Sequence, residues 1–360
     1  MKNAIHIVVA ILAVLLIAVS FIPLVETYWW IVRLADFPRL QFLVALLVIG
    51  AALLFFVKRA PLATGALFIG VLAAILANAT TLWPFRPSGA DFVSQCAEDR
   101  QLSVMVANVL LGNRNTAPLL EMVLREEPDL FLAMETDEWW DRALSPLAQT
   151  MPHRLQKITG SYYGIHLFSR RPLVAPEILN LASPETPAIY AGVTLKSGET
   201  IDFVGLHPRP PLPFQSTLGR DAQLYAAALI IRDGEKPAVV AGDLNATPWE
   251  AAVGRMQRIG SLNDPRRGYG YVPTYSATSW WQSWPLDHVL HEAGFATMSL
   301  RRLGYFGSDH YPYIVRLCRV AEAQDNTPPA LHEGDLRQAE AAIEAAHRRS
   351  TAPRSKSGGG

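Results

Sequence analysis

The sequence has no excess of either charge sign and very little cysteine: 32 Lys and Arg stand against 32 Asp and Glu, and only 2 cysteines occur in 360 residues. Over residues 90–320 the balance is slightly acidic, 21 Lys and Arg against 24 Asp and Glu. No basic stripe runs through that region. A dedicated duplex binder neutralises many phosphates with clustered Lys and Arg, so the absence argues against nucleic acid as the natural substrate. Internal repeats and dividing linkers are also missing between Arg86 and Val320, which leaves room for one large domain.

Apolar residues are abundant, at 50% of the chain, and the excess lies at the N-terminus. Ala4 to Val25, Leu40 to Val57 and Leu62 to Trp83 contain no Asp, Glu, Lys or Arg, and each approaches the roughly 20 residues a helix needs to cross a bilayer. They predict three transmembrane helices in a membrane region, 1–86. The alternative for the first is a cleavable signal peptide, with Lys2 as its basic start and Ala18-Val19-Ser20 as its cleavage site. Tyr28, Trp29, Trp30 and Trp83 fall at span ends, where aromatic belts form. Lys2 and the Lys58-Arg59 loop outnumber Arg33 and Arg39 of the first loop. That leans toward an N-terminus inside and everything after Trp83 outside the cytoplasm, in a multi-pass protein of the cytoplasmic membrane.

The soluble region, 87–320, carries short apolar runs rich in β-branched residues: Leu102 to Val109, Asp129 to Met134, Ile165 to Phe168, Tyr190 to Leu195, Ile201 to Leu206, Ala238 to Ala241, Leu286 to Leu290 and Tyr313 to Leu317. These predict sheet strands. Pro118 to Glu126 and Arg220 to Arg232 predict helices. Mixed strands with few helices imply an α+β sandwich of two sheets. If the first strand pairs antiparallel with the last, Cys96 and Cys318 fall near the same end, and a disulfide there fits an oxidising compartment. The alternative is two unpaired small apolar side chains. Residues 321–360 are polar, and predict a short helix within Leu331 to Arg349 followed by disorder.

Strand after strand ends in a residue fit for chemistry. Val104 to Ala107 ends at Asn108, Leu130 to Met134 at Glu135, Phe203 to Leu206 at His207, and Val239 to Gly242 at Asp243 with Asn245. Asp287-His288 opens one later strand, and Asp309-His310 precedes the last. A single polar strand end is ordinary. A series offering Asn, Glu, His, Asp/Asn, Asp and Asp/His is not.

Taken in order, Leu-Ala-Met-Glu135, His166-Leu-Phe-Ser169-Arg170-Arg-Pro, Gly-Leu-His207-Pro, Gly-Asp243-Leu-Asn245-Ala-Thr-Pro, Pro-Leu-Asp287-His288-Val and Gly-Ser308-Asp309-His310-Tyr-Pro resemble the motif set of the endonuclease/exonuclease/phosphatase superfamily. The resemblance covers about Leu102 to Leu317. It implies a four-layer α/β/β/α sandwich of DNase I-like fold, a divalent metal, usually Mg2+ with Mn2+ as a substitute, and hydrolysis of a phosphate ester. By the same resemblance Glu135 is the principal metal ligand, Asn108 assists at metal and phosphate, and Asp309 completes the shell. Asp243 orients or deprotonates the attacking water, Asn245 donates to the phosphate, and His207 donates to a non-bridging oxygen. Asp287 and His310 are an Asp-His pair, in which a carboxylate fixes the imidazole tautomer. Whether His310 or Asp243 is the general base stays open. His288, beside Asp287 on a strand, points to the opposite face and reads as structural, Ser169 and Arg170 read as scaffold, and Tyr163, before Gly164, is a further candidate to reach the phosphate outside the core set.

After His207 the chain runs Pro208-Arg-Pro-Pro-Leu-Pro-Phe214, a stiff apolar loop suited to a lipid-facing pocket. Trp139, Trp140, Trp280, Trp281 and Trp284 lie close in sequence to the same strands. They could stack bases, meet a bilayer or fill the core. The spans, the acidic domain and the Pro/Trp rim favour a membrane-anchored hydrolase of a lipid-linked phosphate or diphosphate at the outer face of the membrane. The alternative is a tethered nuclease acting on extracytoplasmic DNA or RNA. A non-catalytic interaction domain is disfavoured, because every expected polar position is filled.

Overall fold

The computed structural model describes residues 2–58, 61–89, 92–320 and 328–351. Arg59 of the basic loop, and the tail end expected to be disordered, 352–360, lie outside the described residues. The chain begins with four helices, α1 (Lys2–Phe21), α2 (Trp30–Leu34), α3 (Arg39–Leu54) and α4 (Pro61–Leu82). There follow β1 (Gln101–Asn108), α5 (Ala117–Glu126), β2 (Leu130–Met134), α6 (Glu138–Leu144), β3 (His153–Lys157), β4 (Ile165–Ser169), β5 (Leu173–Leu179), β6 (Ala188–Thr194) and β7 (Thr200–Leu206). The remainder is α7 (Leu218–Asp233), β8 (Ala238–Asp243), α8 (Ala251–Ile259), β9 (Leu262–Asn263), β10 (Asp287–Glu292), β11 (Phe295–Arg302), β12 (Tyr313–Arg319) and α9 (Asp335–Thr351).

Two of the three expected spans meet the length and apolarity that a crossing needs. Ala4–Leu24 and Pro61–Phe85 are long and apolar enough to cross a membrane. The middle one is corrected: α3 has 16 residues, which at about 1.5 Å each rise roughly 24 Å against a hydrocarbon core of about 30 Å. Its first residue, Arg39, is buried and donates to Asp36 Oδ1 (2.9 Å), Ser20 O (3.0 Å) and Asn78 Oδ1 (3.4 Å). That network ties the end of α1 and the end of α4 to the start of α3, so a polar junction replaces the outer turn of a span. Ala13, Leu46, Leu53, Val71 and Ala74 pack between the three helices.

Beyond the helices two mixed sheets pack face to face, in the orders β11-β12-β1-β2-β4-β3 and β5-β6-β7-β8-β10-β9. Val104, Val106, Leu130 and Leu132 of the first sheet meet Phe203, Val239, Ala241 and Val289 of the second to form the central core. Helices α5 and α6 cover the outer face of the first sheet, and α7, α8 and α9 that of the second. The result is an α+β fold with helices flanking both sheets. Helix α9 is bound to this body: Ala339, Ala342 and Ala346 are buried against it, and Asp335 accepts from Arg255 and Arg258.

All eight strands expected from the sequence are present. Four others, β3, β5, β9 and β11, occupy the four outer positions of the two sheets. An edge strand is covered on fewer sides, so its apolar signal is weak; β5, with Pro176, and β11 also carry register shifts. Cys96 and Cys318 form a disulfide, with Cα atoms 5.9 Å apart, because the antiparallel pairing of β1 and β12 sets Gln101 opposite Cys318.

The segment between α1 and α3 docks on the sandwich. Arg33, 2% exposed, lies 3.7 Å from Asp221 and 3.8 Å from Glu250, both fully buried. Thr217 N–H donates to Tyr28 O at 2.9 Å and Trp249 Nε1–H to Asp36 O at 2.7 Å. The ring of Phe37 packs edge-on to Trp284.

Candidate active site

Parallel pairing explains why the site residues meet. β1 and β2 run parallel with Asn108 opposite Met134, so Glu135 emerges beside Asn108. β7 and β8 run parallel with Leu206 opposite Gly242, so His207 emerges beside Asp243. β10 enters antiparallel with Asp287 opposite Asp243. The loop before β12 is fastened to the end of β1 by Ser308, whose Oγ donates to Asn108 O (2.7 Å) and accepts from His310 N–H (3.1 Å).

The tight approach of β7 and β8 needs a glycine. Gly242 has φ +144°, and a Cβ there would meet Leu206 O at 1.9 Å. Glu135 and Asn245 follow their strands in the left-handed region, at φ +61° and +50°, a conformation that ordinary residues hold only where the surroundings enforce it.

Of the eight residues singled out in the sequence, Asn108, Glu135, His207, Asp243, Asn245, Asp309 and His310 line one cavity of about 660 Å³. Asp287 stands behind it, fully buried, and accepts from His310 Nδ1–H at 2.8 Å. Asn108 Nδ2 bridges two carboxylates, donating to Glu135 Oε1 at 3.0 Å and Asp243 Oδ2 at 3.1 Å. Leu111 N–H donates to Glu135 Oε2 at 3.1 Å. Asp243 Oδ1 accepts from Asn245 N–H at 2.9 Å, and Asn245 Nδ2 donates to Pro208 O at 2.9 Å. His207 Nε2 lies 3.8 Å from Glu135 Oε1 and its Nδ1 3.9 Å from Asp243 Oδ2.

Burial works against a charge on His310, but Asp287 and Asp243 outweigh it and push its pKa up to about 10. Burial would also raise Asp287; the charge and hydrogen bond of His310 hold it below the usual carboxylate range instead. The pair is therefore an ion pair at neutral pH. Burial raises Asp243 and Asp309, with attraction to His310 offsetting only part of the effect.

Two donor groups are candidates for a cation. Asp243, Asp287 and His310 bring one ligand atom each within 4.8 Å of one another, but His310 Nδ1 is already engaged with Asp287. Glu135, Asn108 and Asp309 form an oxygen-only set lining the cavity, which suits a hard ion such as magnesium better than a set including imidazole. The second group suits the implied metal through the carboxylates of Glu135 and Asp309, Asn108 Oδ1 being engaged with Leu110 N–H at 3.0 Å.

Sequence reasoning missed several wall residues. Leu34, Phe37 and Pro38, from the segment between α1 and α3, line the same cavity. They are far away in sequence and belong to no motif of the soluble region. Tyr275 also lines it, with its ring 5.0 Å from that of His310; no periodic pattern marks its loop. Tyr163 lies 5.7 Å from the His207 ring. The five tryptophans divide: Trp281 and Trp284 line the cavity, Trp280 is 93% exposed, and Trp139 and Trp140 belong to the packing under α6. His288 donates from Nε2 to Ala246 O and accepts at Nδ1 from Arg266, with burial and then Arg266 lowering its pKa to about 3.

The sequence profile described as the Endonuclease/Exonuclease/phosphatase family matches residues 105–310. No curated protein matches the chain. Among solved structures, a humanized D. rerio TDP2 carrying 14 mutations is 16% identical, with TM-score 0.53, over 61% of this chain and 99% of that one. The human Nocturnin catalytic domain with bound sulfate is 19% identical, with TM-score 0.50, over 65% and 100%. An endonuclease/exonuclease/phosphatase from Beutenbergia cavernae is 18% identical, with TM-score 0.50, over 66% and 76%. These likenesses concern the fold. The profile match extends over more than half of the chain, which therefore belongs to the endonuclease/exonuclease/phosphatase family.

Proposed function

We propose that this phosphate-ester hydrolase of the endonuclease/exonuclease/phosphatase family is a membrane-anchored, divalent-metal-dependent enzyme acting on a lipid-linked phosphate or diphosphate. One observation carries the reading: the seven polar residues meet in a cavity whose other walls are mainly apolar and aromatic and include Leu34, Phe37 and Pro38, next to the membrane helices. The roles given below to individual residues are part of the same proposal.

Glu135, Asn108 and Asp309 would hold the cation, which would supply Lewis-acid neutralisation of charge on the phosphoryl oxygens. His207, close to both Glu135 and Asp243, donates to a non-bridging oxygen of the phosphate. Asn108 keeps two carboxylates apart with one amide. During in-line attack by water the proton released by the water passes to the Asp243 carboxylate, because His310 is already protonated in the resting site; His310 Nε2, 3.5 Å from Asp243 Oδ2 and with Nδ1–H held by Asp287, stabilises that carboxylate before the transfer.

The helices Ala4–Leu24 and Pro61–Phe85 anchor the enzyme, with the shorter α3 packed against them. The Cys96–Cys318 disulfide favours an oxidising compartment, and it is what supports a catalytic domain on the outer face of the cytoplasmic membrane. The test offers purified full-length protein, with magnesium, a polyprenyl diphosphate, a phospholipid and plasmid DNA in parallel. Phosphate release from a lipid with the plasmid intact supports the reading. Nicked plasmid with untouched lipids would replace it with a tethered nuclease.

A further inference from the structure

The mouth of the catalytic cavity is built from three segments that are remote in sequence and fastened to one another. The segment before α3 supplies Leu34 and Pro38, both half-buried, and the proline loop supplies Pro211 and Leu212. The loop before β10 supplies Trp281 and Trp284. Trp29 and Ser216 form a β-bridge between the first two, the rings of Trp30 and Phe214 pack at 5.8 Å, and Gln41 Nε2 donates to Trp281 O at 2.5 Å, linking α3 to the third.

Around this mouth the large apolar side chains face outward: Trp29 is 71% exposed, Phe214 94% and Trp280 93%. Exposed aromatics of this size are costly in water and favourable at a bilayer interface. They surround the place where α1 ends and α3 begins, the end of the apolar helices that would meet a membrane surface. At about 660 Å³ the cavity has the size of a small-molecule site, larger than a phosphoryl group needs.

We propose that the segment between α1 and α3 is a substrate-recognition element: Leu34 and Pro38 on one side, with Pro211 and Leu212 on the other, hold the first part of the alkyl or prenyl chain attached to the phosphate. The proposal rests on the lipid-phosphate reading above. It makes the catalytic site composite, with the hydrolytic groups on the sandwich and half of the chain-binding wall on the membrane segment. The buried Arg33 contact with Asp221 and Glu250 holds that wall in place.

The test measures binding rather than turnover. Full-length protein in detergent, with magnesium, is titrated calorimetrically with n-alkylphosphonates from ethyl to octyl, all below their micelle thresholds. Affinity should rise by about threefold for each methylene that enters the apolar wall. Leu34→Ala should flatten that dependence, so that the octyl-to-ethyl ratio falls about tenfold or more. Leu212→Ser, at a 41% exposed position whose change leaves the core intact, should flatten it as well. An affinity independent of chain length, an unchanged slope in both variants, or a dinucleotide that competes better than octylphosphonate would each overturn the proposal. Hydrolysis is scored separately. Chain-length-dependent binding without lipid turnover would refute the function and leave the wall, and turnover with a flat series would do the reverse.

Discussion

His310 donates through Nδ1 to Asp287 at 2.8 Å, 23 residues earlier in the chain and fully buried behind the cavity wall. The carboxylate does not reach the cavity itself, so its effect is exerted through the imidazole. Asp287→Asn keeps the shape and removes the charge that holds His310 protonated. kcat for phosphate release is expected to fall by about 10²-fold or more, with a smaller change in KM. Unchanged kcat in a folded variant would remove His310 from proton handling.

Glu135 is held by Asn108 and by Leu111 N–H, and Glu135→Gln preserves its size while removing the negative charge. Activity at saturating magnesium should drop by about 10²-fold or more. Chelation of the native protein should abolish activity, and added magnesium should restore it. Full turnover in chelator would end the metal mechanism.

Gly242→Ala places a methyl group 1.9 Å from Leu206 O at a backbone angle of φ +144°. The strand pair must separate or the turn must change, at a cost of about 3 kcal/mol or more. Thermal unfolding in detergent should begin well below that of the native protein. An unshifted transition would show that the β7–β8 junction is looser than its geometry.

Cys318→Ser removes the bridge that joins residues 222 positions apart. Stability should fall by about 2–4 kcal/mol, read from the denaturation midpoint. The same bridge reports topology: after reduction, an impermeant thiol reagent should label intact cells. Labelling that requires lysis would place the catalytic domain inside.

Asp335 ties α9 to α8. Burial alone would raise its carboxyl, but hydrogen bonds from Arg258, His332 N–H and Arg255 hold it well below the usual range. A depressed folded pKa stabilises fully above the unfolded value, about 3.9, and loses that contribution as pH falls toward the folded value. Unfolding free energy should therefore decline more steeply below about pH 4 in the native protein than in Asp335→Asn. Parallel curves would mean that the pair contributes nothing.

The candidate site was legible from sequence because its residues follow or open central strands, where burial on both faces writes a continuous apolar run ending in a polar residue. Asn108, Glu135, His207 and Asp243 are all of this kind. Edge strands β3, β5, β9 and β11 left no such trace, since their outer sides make no apolar demand. Helix α3 was overread as a span, because composition registers the apolar run after Arg39 but not the buried contacts that Arg39 makes with Asp36, Ser20 and Asn78. What the sequence alone determined was the set of polar groups that gather at the cavity, since valence and charge belong to residue types. Only the tertiary structure decided what surrounds them. Leu34 and Phe37 reach the cavity through long-range docking around Arg33, and contacts between segments some 200 residues apart leave no local pattern to read.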